Sequence, residues 1–172
     1  GIAFLGGYQH KPNVEAVTFF VEQVAPLLLV KAPEIIFYVY GSHLPDFLHN
    51  FGSENINIIG FVDNLDDLYQ QHRVFVAPLL SGAGIKGKLS DAMQCGTPSL
   101  TSTIGSEGML TTTKNEQLPW NGEIIDTREM MDNPQTFADA AVRLYQAESD
   151  FKDYQHNGFE ILQQQYDKSF WQ

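Results

Sequence analysis

Short apolar runs closed by glycine or proline alternate along this chain with stretches of helical spacing, and few architectures accept that pattern. "IAFL" (2–5) ends at Gly6 and Gly7, and "IIFYVYG" (35–41), "INIIGF" (56–61), "VFVAPL" (74–79), "SLTST" (99–103) and "GEIIDT" (122–127) follow it. Several of these runs are apolar on both faces, which fits strands covered from both sides and therefore a parallel sheet. Between the first two, Val14, Val17, Val21, Val24 and Leu28 recur at threes and fours. That spacing predicts a helix over 13–31, with Asn13 as its N-cap behind Pro12. Further helices are expected over 45–51, 64–72 and 85–95, the last closed by Gly96, and the chain turns helical from about Pro134 to Tyr166. The stretch 111–122 reads as irregular. The pattern predicts an α/β fold, a Rossmann-like doubly wound parallel sheet in three α/β/α layers, and 172 residues suffice for one such domain.

Composition removes several functions. The formal net charge is −11 and Lys and Arg together number 10, so the basic footprint that a nucleic acid or an anionic membrane requires is missing. No uninterrupted apolar run reaches the roughly 18 residues of a membrane span, so no transmembrane segment is expected. "GIAFLGGYQHKPN" lacks the basic-then-apolar order of a signal peptide. The single cysteine, Cys95, forms no disulfide framework, which suits a reducing, cytoplasmic setting. The five histidines are scattered without metal-ligand spacing, so neither a metal nor a cofactor is expected. The chain opens inside a strand with no initiator methionine, and the expectation is a fragment cut at a domain boundary.

The segment "SGAGIKGKLSDAM" (81–93) carries the chemistry. Gly82, Gly84 and Gly87 have dinucleotide-fingerprint spacing, and Gly82 through Lys88 fit the start of a P-loop. A P-loop requires Ser or Thr after the lysine to hold magnesium, and here Leu89 follows, with Ser90 about a hundred degrees round the helix. A dinucleotide fingerprint should close the first strand and be followed by an acid at the next strand end. This one follows the fourth strand, and "SLTST" ends without an acid. A third reading is a sugar-nucleotide loop. A helix starting near Ile85 aims free N–H groups and a positive dipole end at a diphosphate, and Gly82, Ala83 and Gly84 admit it closely. Lys86 and Lys88 add charge, while Asp91, three residues on, shares a face with Lys88 and offers a carboxylate to ribose hydroxyls.

The run from Val74 to Met109, "VFVAPLLSGAGIKGKLSDAMQCGTPSLTSTIGSEGM", resembles the donor-binding half of the group 1 glycosyltransferases, a retaining family of GT-B architecture. "FLGGYQHKPNVEAVTFFVEQVAPLL", "FYVYGS" and "IIGFVDNLDDLY" precede it in the order that family shows, so the resemblance covers about residues 2–110. It implies the C-terminal half of a GT-B fold, with an N-terminal acceptor domain as the missing partner and a UDP- or GDP-sugar as donor. It also implies that Gly82, Ala83, Gly84, Ile85 and Lys86 lie at the diphosphate and sugar, that Asp91 takes the ribose, and that Phe61, Val62 and Leu65 lie near the base. Gly7 belongs to the first turn, and Lys11 sits where a diphosphate-binding lysine is often found. Three positions depart from the family pattern: Asp91 where Glu is usual, Ser81 where many members carry Glu, and glycine near Gly6 and Gly7 in place of an arginine. The catalytic residues are not read from this sequence.

Several other residues have bland readings. His10 and His43 are expected on the surface, and Cys95 as small apolar filler. Of the aromatics, Tyr8, Phe61 and Tyr69 could stack on a base but are more often core. Phe170 and Trp171 end a polar helix and are expected to dock on the absent domain. A GT-B 2-epimerase and a non-catalytic binding domain of the same fold are the alternative functions.

Overall fold

The computed structural model describes residues 1–110, 112–113 and 116–169. Six parallel strands form one sheet: β1 (Ile2–Leu5), β2 (Phe37–Tyr40), β3 (Ile56–Gly60), β4 (Val74–Ala77), β5 (Ser99–Ser102) and, after a two-stranded antiparallel pair β6 (Thr112–Thr113) and β7 (Glu116–Gln117), β8 (Gly122–Ile125). Their order is β3-β2-β1-β4-β5-β8. The direction of winding reverses between β1 and β4, and ligands of open α/β sheets bind outside the carboxyl ends of the strands at such a point.

Side chains alternate across the sheet as a pleat requires. Ile2, Phe4, Phe37, Val39, Val74 and Val76 face one core layer, formed with α1 (Lys11–Phe19), α2 (Ala25–Lys31), α5 (Thr127–Asp132) and α6 (Gln135–Gln146). Ala3, Tyr40, Phe75 and Ala77 face the other, with α3 (Leu65–Gln71), α4 (Gly87–Gln94) and α7 (Phe151–Ser169). This is the three-layer, doubly wound arrangement that the alternating sequence pattern predicts. β5 is buried at every position although it reads SLTS. Its hydroxyls are satisfied by neighbours: Thr101 donates to the Ala77 carbonyl at 2.8 Å and Ser102 to that of Leu79 at 2.6 Å. Burial without such partners would cost kilocalories per group.

Four local expectations change. The first helix starts at Lys11 with His10 as its cap residue, and Asn13 lies inside it. α1 and α2 are joined by a π turn, Phe20–Val24, in which the Ala25 N–H reaches the Phe20 carbonyl. Pro26 has no N–H to give Glu22 and its ring crowds that carbonyl, so the ladder widens there. The 45–51 element is a 3-10 helix, Asp46–Phe51. The C-terminal helical stretch divides into three helices, the first of which begins upstream of Pro134, with Asp126 capping α5 by accepting from the Glu129 N–H at 3.0 Å. α4 ends as expected: Gly96 N–H bonds to the Met93 carbonyl and Thr97 N–H to that of Ala92, a Schellman motif. Lys11–Lys31, 21 residues containing an 18-residue window of mean hydropathy 1.4, is long and apolar enough to cross a membrane. In the fold its Ala16, Val17, Phe20, Val24 and Leu28 are buried in the core.

Candidate functional site

Two cavities open at the carboxyl edge of the sheet, one on each side of the β1–α1 turn. The first, 380 Å³, is lined by Leu5, Gly6, Gly7, Gly41, Ser42, Phe61, Val62, Asp63 and Leu65. Its Phe61 is 72% exposed, an aromatic face left uncovered at the mouth. Gly41 sets the depth of this cavity. Its φ is +135°, and a Cβ there would fall 1.7 Å from the Gly6 carbonyl oxygen, so β2 passes under the β1–α1 turn with no room for a side chain. The second cavity, 480 Å³, lies at the winding reversal between β1 and β4 and is lined by His10, Pro12, Asn13, Leu79, Gly82, Ala83, Ile85, Lys86, Gly87 and Lys88. Gly82 and Gly84 take φ of +114° and +78°, a region that L side chains rarely adopt, so the loop depends on both glycines.

α4 begins at Gly87, two residues later than the sequence suggests, because Lys86 is still extended and acts as the cap residue. The first helical N–H groups therefore come from Gly87 onward, and Lys86 stands on the loop with its ammonium on the Gly84 carbonyl. Lys88 turns inward. Its ammonium donates to the Asn13 side-chain carbonyl and lies 4.8 Å from the centroid of the Phe4 ring. Burial, and then the charge of Lys86, press its pKa down to about 8. Among the described residues no carboxylate pairs with Lys88, so the expected proximity to Asp91 does not become an ion pair. Asp91 lies toward α3 instead, where burial and then Asp66 raise its pKa, and it lines neither cavity.

Lys11 lines neither cavity. It pairs with Glu15 at 3.3 Å and lines a separate groove with Thr18 and Leu80. Ser81 donates to that same Glu15 carboxylate at 2.5 Å. A carboxylate thus sits beside the loop after all, supplied by α1. Glu15 and Asn13 are the site neighbours that sequence reasoning missed. Glu15 meets Ser81 and Asn13 meets Lys88 across more than sixty residues of chain, and the spacing of threes and fours around them shows only a helix face. His10 lines the second cavity while remaining exposed. Tyr8 and Tyr69 are core, with hydroxyls bonded to the carbonyls of Tyr40 and Lys88. Cys95 is half-buried against Asp66, and burial raises its thiol pKa. Phe170 and Trp171 lie outside the described residues. No cluster of metal-ligating side chains occurs among the described residues.

Comparison with known proteins gives the arrangement a family. The chain is 24% identical over 175 residues to a Klebsiella pneumoniae protein described as an "uncharacterized 44.6 kDa protein in cps region", spanning 96% of this chain and 42% of that protein. The C-terminal domain of a glycosyl transferase group 1 family protein (LpcC) from Francisella tularensis superposes with a TM-score of 0.72 at 17% identity, covering 96% of this chain and 85% of that one. The pneumococcal O-GlcNAc transferase GtfA, crystallised with UDP and GlcNAc, gives 0.67 at 19% identity, covering 97% of this chain and 34% of GtfA. This chain thus spans less than half of the Klebsiella protein and about a third of GtfA. The family model "Glycosyl transferases group 1" matches residues 1–147, and the chain therefore belongs to that family.

Proposed function

We propose that this chain is the domain that binds the nucleotide diphosphate sugar in a retaining hexosyltransferase, with a second domain supplying the acceptor. The observation that carries this reading is the pair of cavities flanking one glycine turn: one apolar with an uncovered Phe61, the other holding two lysines and the start of α4. A base fits the first. A diphosphate fits the second, where Lys86, Lys88 and the N–H groups from Gly87 onward converge on one anion. Asp91, which lines neither cavity and senses the charge of Asp66 in α3, is the carboxylate we assign to the ribose. The complex of GtfA with UDP and GlcNAc supports the same class of donor.

In the transfer, the bond between the anomeric carbon and the diphosphate oxygen breaks and a bond to the acceptor oxygen forms. Negative charge grows on the departing diphosphate. Fixed donors there stabilise that charge more than they stabilise the intact donor, so they lower the barrier without moving a proton.

Calorimetric titration with UDP and GDP, on wild type and on Lys86→Ala/Lys88→Ala, tests the reading. Saturable binding that the double variant loses, together with a preference for one base, is expected. Nucleotide binding equal in both proteins would move the phosphates elsewhere.

A further inference from the structure

Asn13 occupies a position that neither the loop nor the helix cap explains. Its side-chain N–H₂ donates to the Gly7 carbonyl at 2.9 Å, and its side-chain oxygen accepts from the Lys88 ammonium. The first bond fixes the orientation of the amide. With the N–H₂ end committed to Gly7, the oxygen must face Lys88, and one side chain of α1 ties the turn beside the first cavity to the lysine of the second. The Phe4 ring from β1 lies against the ammonium and the charge of Lys86 acts on it, His10 from the β1–α1 turn lines the same cavity, and Tyr69 of α3 bonds to the Lys88 backbone carbonyl.

We propose that Asn13 is a positioning residue that steers the Lys88 ammonium into the cavity between the β1–α1 turn and the 82–86 loop. Only a neutral acceptor can do this without cancelling the charge. An aspartate at the same place would hold the lysine as firmly but leave the pair with no net charge for an arriving phosphate. An apolar residue would leave the half-buried ammonium with the ring face alone, and its protonated form would become still less favourable than burial already makes it. The inference rests on reading the second cavity as the diphosphate site, and the two can be tested apart.

In the full-length protein, pH-resolved labelling of Lys88 with acetic anhydride, read by mass spectrometry, reports the lysine's titration with no nucleotide present. Relative to wild type, the midpoint is expected to fall by about one unit in Asn13→Leu and to rise by about one unit in Asn13→Asp. UDP affinity at neutral pH is expected to fall about twofold in Asn13→Leu, whose lysine is then only about half protonated, and about tenfold in Asn13→Asp, whose carboxylate offsets the charge, with uridine affinity unchanged. Opposite shifts of the lysine with losses in the same direction are not what a merely structural asparagine would give. Unchanged midpoints in both variants would overturn the proposal. Shifted midpoints combined with wild-type UDP affinity in Lys88→Met would leave the steering intact and overturn the diphosphate reading.

Discussion

Lys88, which we assign to the diphosphate, illustrates how a residue can work against the fold that carries it. Its pKa, about 8, lies below the ordinary lysine value, so the folded state holds the proton less tightly than the unfolded chain does. Between about pH 8 and the usual lysine range the unfolded state binds more protons, and stability rises with pH across that window. Below it, the folded state bears the whole cost of the buried charge. Lys88→Met, which keeps the length of the side chain and removes the charge, is expected to raise Tm at neutral pH by roughly 2–4 °C while UDP affinity falls at least about tenfold. Thermal melts with and without UDP measure both effects. His72 sets the acid side. It is buried with Nε2 2.8 Å from the Tyr40 hydroxyl, and burial lowers its pKa to about 4. The unfolded chain takes up a proton near the ordinary histidine value and the folded chain does not until about pH 4, so stability declines as pH falls through that interval. In His72→Gln that part of the Tm-against-pH curve should flatten. Glu15 and Asp139, whose pKa values are lowered by hydrogen bonds from Ser81 and Lys31 respectively, act below it.

Among the elements, the passage of β2 beneath the β1–α1 turn is the least forgiving. Gly41→Ala combines a left-handed φ with a collision against the Gly6 carbonyl, and the expected cost is about 2–4 kcal/mol, measured by urea unfolding at unchanged m-value. The apolar runs and their glycine and proline boundaries located all six sheet strands, because burial on both faces leaves few residue types for a strand to use. β5 followed the same rule through hydroxyls that find carbonyls on β4 and just past its end. Helix starts were less legible. The entry to α1 is set by His10 with no side-chain cap bond, and α4 starts late because Lys86 stays extended, so neither end carries the Ser, Thr, Asp or Asn signal at the right position. The π turn was hidden because a proline in a helical pattern announces a distortion without saying which kind. At the site, the glycine loop, both of its lysines and Phe61 could be found from spacing and resemblance. Asn13 and Glu15 could not, since their roles depend on which strand end the first helix faces.

For the molecule as a whole, a formal charge of −11 surrounds a site that gathers two of its ten cations at one loop. The far field repels an anionic nucleotide and the near field attracts it. Because salt screens the longer distances first, raising ionic strength from about 20 to about 200 mM is expected to speed UDP association by roughly twofold, while dissociation accelerates as well. Stopped-flow rates across that series check the sign, and an association rate that fell with salt would show that the local lysines govern the approach.

The β1–α1 turn separates the two cavities with Gly6 and Gly7, and a ridge without side chains acts as a gauge of ligand length. On the donor reading proposed above, each half of a UDP-sugar can settle on its own side, but only a molecule whose base and phosphates are the right distance apart can straddle the crest. Widening the crest at Gly7, where a Cβ would meet nothing nearer than His10 at 3.6 Å, would leave uridine and pyrophosphate free to bind singly and bar the molecule that joins them.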